Sequence, residues 1–167
     1  DRGYWLDVID AVKEVYDGKL TYAANWDYAA EIPFVDALDF IGVDAYYPLT
    51  ENRNASVEQL VEAWTGTPEN SYVRRITGGE PLVDWLRGLS EAADKPIVFT
   101  EVGFRSVDGN AAHSYEHSTP GAVDLEEQRR LYESFFQVFG DEPWFDGAQL
   151  WAWYATEYQN NDPSDTD

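Results

Sequence analysis

The chain has 167 residues, which suits a single domain, and 44% of them are hydrophobic, enough for a packed core. The 11 Lys and Arg stand against 32 Asp and Glu, and the formal net charge of −21 argues against nucleic acid, anionic membranes and strongly anionic ligands as partners. No apolar run approaches the ~18–20 residues of a membrane-spanning helix, and the absence of Cys excludes disulfides, thiolate metal sites and a Cys nucleophile.

In chain order, Trp5, Val8, Ile9, Val12, Val15 and Tyr16 fall at helical spacing and predict an amphipathic helix ended by Asp17-Gly18. Leu20 to Trp26 reads as a short strand, and Ile32 to Leu38 as a short helix begun near Pro33. Asp39 to Tyr46 reads as a second strand, mostly apolar as a strand buried on both faces is. Ser56 and Gln59 form a capping box ahead of a helix with Leu60, Val61 and Trp64. Thr65 to Gly79 reads as a polar loop, and Pro81 opens a helix with Leu82, Leu86 and Leu89 on its apolar face. Pro96 to Val102 is the third predicted strand, followed by an irregular stretch from Arg105 to Val123. Asp124 with Glu127 then caps a helix whose predicted buried side is Leu131, Tyr132, Phe135, Phe136 and Phe139, and Gly147 to Trp153 is the fourth strand.

Helices alternating with short buried strands predict a parallel sheet and the α/β class. Two architectures fit, a doubly wound open sheet and part of a (β/α)₈ barrel. The first calls for a Gly-rich phosphate turn after a strand, and none of the four strands leads into one. Polar and aromatic residues gather instead at the C-terminal strand ends, where barrel enzymes carry their chemistry: Asn25 and Trp26, Asp44, Tyr46 and Tyr47, Glu101, Trp151 and Trp153. Four strand–helix units are about half of a barrel.

Glu101 stands out because a carboxylate at the end of an apolar strand costs desolvation unless it is paired or used. Pairing with Arg105 is the structural alternative to a catalytic role. Asp44 and Tyr46 share parity and point to one side, where a phenol can hold a neighbouring carboxylate ionised. Trp151 and Trp153 also share parity, as a platform for the apolar face of a sugar ring or as core filling. Asn25 and Trp26 make a weaker version of the same surface. With 11 Tyr and 7 Trp against 8 Phe, the aromatics favour types with a polar handle, which suits neutral polyhydroxylated ligands. His113 and His117 read as surface residues, and no metal site or cofactor motif is expected.

Three blocks carry a family resemblance: Leu20-Thr21-Tyr22-Ala23-Ala24-Asn25-Trp26, Leu38 to Leu49, and Lys95-Pro96-Ile97-Val98-Phe99-Thr100-Glu101-Val102-Gly103-Phe104-Arg105-Ser106. They resemble glycoside hydrolase family 113. The resemblance implies a (β/α)₈ barrel with retaining endo-β-mannanase activity, and an acid/base and a nucleophile Glu on strands four and seven. The present strands would be five to eight, and residues 1–167 a partial barrel domain, the C-terminal half. Glu101 matches the nucleophile, Tyr46 the strand-six Tyr that bonds it, and Trp151 or Trp153 the strand-eight aromatic. Asn25, Trp26, Asp44 and Arg105 are the remaining substrate-binding candidates. The acid/base would precede Asp1, so this segment alone is not expected to turn over substrate. The partner implied is a neutral polysaccharide or oligosaccharide, without cofactor or metal. A non-catalytic glycan-binding barrel and a related glycosidase for another β-glycan, such as galactan, stay open as alternatives.

Three further expectations concern context. With only three Lys (Lys13, Lys19, Lys95), the acidic surface resembles proteins from high-salt environments, and the composition of a GC-rich genome explains it equally well. The chain starts at Asp1 and contains no Met, so both ends read as cut. No targeting segment is visible; localisation stays open, and secretion is compatible.

Overall fold

The structure, a computed structural model, describes residues 1–118 and 120–151. Four strands, β1 (Ala23–Asn25), β2 (Ile41–Asp44), β3 (Ile97–Val102) and β4 (Phe145–Leu150), form one parallel sheet in the order β1-β2-β3-β4. Helix α1 (Arg2–Lys13) precedes the sheet. Helices α2 (Val57–Thr65), α3 (Ser71–Ile76) and α4 (Leu82–Ala93) lie between β2 and β3, and α5 (Leu125–Phe139) joins β3 to β4. The strand order follows the chain without reversal. A doubly wound sheet would reverse at a switch point, so the described strands fit the barrel expectation.

One face of the sheet is apolar and covered. Val43, Ile97 and Phe99 are buried in one cluster with Leu60, Trp64, Leu86, Leu131, Phe135 and Phe139 from the helices. Phe99 meets Phe139 and Phe145 edge-on, with ring centroids 5.1 Å (Phe99–Phe139) and 4.9 Å (Phe99–Phe145) apart. Each such buried ring contributes about 1.5–3 kcal/mol over leaving it in water. The other face carries Gly42, Asp44, Tyr46, Thr100 and Glu101, and it is on this face that chemistry is possible.

Several elements differ from the sequence expectation. Helix α1 stops at Lys13, and Val12, Val15 and Tyr16 are exposed. It packs through Trp5 and Ile9 onto Phe34 and Leu38, so only one flank of its apolar stripe finds cover. The predicted helix over residues 32–38 is instead one 3₁₀ turn, Val35–Ala37, and another, Ala29–Glu31, precedes it. The loop over residues 65–79 contains α3, capped by the Asn70 side chain on the Tyr72 and Val73 amides. Its six residues are too few to show a periodic stripe. Phe136 is 57% exposed, because it sits about a quarter turn round from Phe135 on α5. β1 and β2 are shorter than predicted, and Trp153 lies outside the described residues. The Ser56–Gln59 capping box is present as expected.

Among the described residues β1 and β4 each have one strand neighbour, and Ala148 to Leu150 are exposed. Unpaired strand edges template association. The 167-residue polypeptide by itself is therefore expected to dimerise or aggregate in size exclusion with light scattering. A monodisperse monomer with a cooperative, high-temperature melt would count against this.

Candidate active site

An irregularity in β3 creates the site. Val43 pairs with Phe99, but the next β2 residue, Asp44, pairs with Glu101, so Thr100 is an extra residue. The same excess is seen from β4, where Phe99 pairs with Ala148 and Val102 with Leu150. Regular alternation would send Thr100 and Glu101 to opposite faces. Here Ile97, Phe99 and Val102 are buried, while Val98, Thr100 and Glu101 are all partly open. Thr100 and Glu101 therefore share the polar face, which is what a bulge does when it re-aims a side chain.

Both residues bond to β2 and the turn after it. Thr100 Oγ1 donates to Asp44 Oδ1 at 2.7 Å, and the Tyr46 hydroxyl donates to Glu101 Oε2 at 2.8 Å. Asp44 and Tyr46 thus point to the same side, as their parity predicts. Burial, and then its bond to Glu101, raises the Tyr46 pKa well above that of a free phenol, so Tyr46 stays a donor. Burial raises the Asp44 pKa above the usual carboxylate value and the Glu101 charge adds to it, while the Thr100 bond opposes both.

A cavity of about 300 Å³ opens over Glu101 and Tyr46, with Gly103, Arg105, Tyr115 and Trp151 among its lining residues. Trp151 is 62% exposed in this chain. The Trp151 backbone N–H donates to Val102 O at 2.9 Å, and a Cβ on Gly103 would overlap the Trp151 carbonyl oxygen. Glycine at 103 is what lets Trp151 close this wall. Arg105 is drawn toward the cavity loop, donating to Glu116 O at 3.4 Å. Asn25 and Trp26 belong to a neighbouring cavity of about 500 Å³, with Asp27, Tyr72 and Tyr115. Trp26 is buried, so it serves as a wall rather than an open platform. His113 and Glu116 pair at 3.5 Å, and His117 lines the first cavity.

Glu127 is the residue that the sequence reading misplaced. Asp124 does cap α5, accepting from the Glu126 and Glu127 amides. Glu127 does not complete a capping box; at 2% exposure it accepts from the Gly109 N–H at 2.7 Å and the Ala111 N–H at 2.9 Å. Gly109 has φ +90°, a conformation that favours glycine. Glu127 thereby ties α5 to the loop that supplies Ser114, Tyr115, Glu116 and His117 to the cavity wall. A signal was available: Glu127, Leu131, Phe135 and Phe139 recur every four residues on the buried face of α5. Oxygens of Asp108, Asp124 and Glu127 lie within 4.8 Å of one another. Each is already engaged, Asp108 with Arg53 at 2.7 Å and the other two as described.

The profile of glycoside hydrolase family 113 matches residues 1–167. The chain belongs to glycoside hydrolase family 113. Among solved structures it is similar to the GH113 β-mannanase AaManA from Alicyclobacillus acidocaldarius in complex with ManMIm, with 36% identity and a TM-score of 0.69, over 90% of this chain and 40% of that one. It is also similar to a GH113 β-1,4-mannanase at 25% identity and TM-score 0.69, over 91% of this chain and 40% of that one. A β-glucuronidase from Ruminococcus gnavus, at 21% identity and TM-score 0.55 over 90% of this chain and 22% of that one, shares the fold. The chain thus spans about 40% of the length of the GH113 structures it matches, and the four-stranded sheet with its helices corresponds to part of a (β/α)₈ barrel. Comparison with curated protein sequences finds no match.

Two tests follow. Because the Asp44 pKa is raised in the fold, its stabilising contribution is complete below the unfolded value of ~3.9 and is lost as pH rises through the folded value. Carboxyl-detected NMR should place the Asp44 midpoint above ~3.9, and the wild type should lose stability relative to Asp44→Asn as pH rises through it. Glu127→Gln turns an amide NH₂ toward one of two backbone donors, at a cost of about 1–3 kcal/mol. It should lower the denaturation midpoint and speed hydrogen exchange at Gly109 and Ala111; unchanged exchange at both amides would refute the tether.

Proposed function

We propose that this chain carries the nucleophile half of a retaining β-glycoside hydrolase that acts on β-1,4-mannan or a related β-glycan. The observation that carries the reading is the 2.8 Å bond from Tyr46 to Glu101, made on the open face of the sheet at the C-terminal strand ends. Family membership and the β-mannanase structures it resembles support the substrate class.

In this reading the Glu101 carboxylate attacks the anomeric carbon. A C–O bond to Glu101 forms as the glycosidic C–O bond breaks. The departing oxygen takes a proton from a second carboxylic acid, which retaining chemistry places ~5–5.5 Å from the nucleophile. That acid is assigned to the strand-four position, outside this chain. Water then attacks the anomeric carbon from the face the departing oxygen left, opposite Glu101, gives a proton to that second carboxylate, and the C–O bond to Glu101 breaks to release it. Tyr46 remains protonated throughout, orients one Glu101 oxygen and lowers its charge density, leaving the other free to attack. Trp151 offers an open indole face for the apolar side of the reacting ring. Arg105 and Asn25 are donors for substrate hydroxyls.

The test uses the completed barrel, meaning this chain together with the first four strand–helix units. Glu101→Gln keeps the shape and removes the attacking charge, so kcat on mannan should fall by ~10³-fold or more, while mannooligosaccharide binding survives. A mechanism-based 2-fluoro-mannoside should label Glu101 in peptide mass spectrometry. Near-normal turnover by the variant, or labelling of Asp44 instead, would overturn the assignment. A wild-type barrel that binds mannooligosaccharides without turnover would favour the glycan-binding alternative, and turnover confined to galactan would move the substrate class.

A further inference from the structure

Asp44 lines neither of the two cavities, although it shares a face with Tyr46 and sits in register opposite Glu101. Its side chain is engaged elsewhere, with the extra residue of β3. Thr100 Oγ1 donates to Asp44 Oδ1 at 2.7 Å. The Thr100 methyl lies over the bare Cα of Gly42, where a Cβ would stand 3.1 Å from Thr100 Cγ2. Both branches of Thr100 are thus seated, and a β-branched side chain is stiff at χ1.

Asp44 also holds the residue that bonds Glu101. The Tyr46 N–H donates to the Asp44 backbone carbonyl at 3.1 Å. A closed ring of contacts results. It runs from the Asp44 side chain to Thr100, through the peptide bond to Glu101, from Glu101 Oε2 to the Tyr46 hydroxyl at 2.8 Å, and from Tyr46 back to Asp44. The Ala45 N–H spans the ring, donating to Glu101 O at 2.7 Å. Glu101 is therefore fixed at both ends, its backbone by the bulge and one carboxylate oxygen by Tyr46. Without the Asp44–Thr100 bond, the polar side of the bulge loses its anchor, and regular alternation would turn Glu101 toward the opposite face.

We propose that Asp44 is a positioning residue that acts through Thr100 to hold the bulge and so aims Glu101, rather than a ligand for substrate. Its effect on catalysis rests on the nucleophile reading above; the aiming of Glu101 rests on the bonds of the ring.

The experiment follows inactivation of the completed barrel by the 2-fluoro-mannoside in the wild type, Asp44→Ala, Thr100→Val, Thr100→Ser and the double variant of the first two. The labelling endpoint counts folded sites, the limiting rate reads attack by Glu101, and the half-saturating concentration reads binding. In Asp44→Ala and in Thr100→Val the limiting rate should fall about 10- to 100-fold, the scale on which a ~1 Å displacement of a reacting group acts, with half-saturation unchanged. The double variant should be no slower than the slower single one, because the two partners of one bond are not additive. Thr100→Ser keeps the hydroxyl and should recover most of the rate. A wild-type rate in Thr100→Val, a raised half-saturation in Asp44→Ala, or additive losses in the double variant would overturn the proposal. So would variants that lower only the labelling endpoint, which is a folding defect. If the wild type is not labelled at Glu101, the nucleophile reading fails and positioning is read by NMR instead. The Glu101 carboxyl and Tyr46 ring resonances should then shift in both single variants and return in Thr100→Ser. Resonances that stay in place in Thr100→Val overturn it.

Discussion

The extra residue at Thr100 decides what this sheet can do. Up to Phe99, β3 alternates as any strand between helices and a barrel interior would, with Ile97 and Phe99 in the helix-side core. Continued alternation would carry Glu101 into that core, where an ionised carboxylate has no solvent and few donors. One inserted residue, registered against both β2 and β4, moves Glu101 onto the polar face and returns Val102 to the core. The Tyr46 bond, the cavity and the approach of Trp151 past Gly103 all depend on that shift. The bulge is held by packing on one side, through Phe99 and Val102, and by Thr100–Asp44 and Tyr46–Glu101 on the other.

The second constraint is the loop between β3 and α5. Loops with no regular structure tend to vary and move, yet this one must present Tyr115 to two cavities at once. Its order comes from groups outside the loop's own turns. From outside, Glu127 takes two of its amides and Leu49 N–H donates to Ala111 O at 2.8 Å; inside, Val107 bridges Val123. Within it, the Asn110 side chain accepts from Arg105 N–H at 3.0 Å. A buried carboxylate bonded by two backbone N–H groups is an expensive arrangement if either is lost, and this ties the position of the loop to the packing of α5.

These two features also mark where the sequence could be read and where it could not. The helix–strand alternation, the Ser56 cap and the polar strand ends are local patterns, and local patterns survive folding. Asp44 and Tyr46 could be placed on one side because β2 and the turn after it keep their alternation. Glu101 could be singled out by its chemistry, but its direction depends on a register against two other strands, which no single segment encodes. Glu127 satisfied a local motif, Asp-x-x-Glu ahead of an apolar run, and also lay in the buried row of α5. The first reading is local and the second tertiary, and the tertiary one prevailed, with the Gly109 and Ala111 amides donating to Glu127. Asp27 and Tyr72 lie 45 positions apart and meet only because α3 forms within a stretch that reads as loop.

The arrangement also reconciles a strongly acidic chain with a site built from carboxylates. Asp44 and Glu101 are register partners on adjacent strands, and two ionised groups so placed repel one another. Burial pushes Asp44 toward its neutral form, which weakens that repulsion, and the Thr100 hydroxyl donates to one of its oxygens. Tyr46 supplies Glu101 with a hydrogen-bond donor. The phenol holds its own proton more tightly than a free phenol does. Two acids on the same face are thus given different environments, one favouring the proton and the other supplied with a donor. That separation of roles is how neighbouring carboxyls come to serve different functions in one site. The proposed hydroxyl-rich, uncharged ligand matches this arrangement, since every ionised oxygen in the cleft is an acceptor and such a partner brings donors without negative charge.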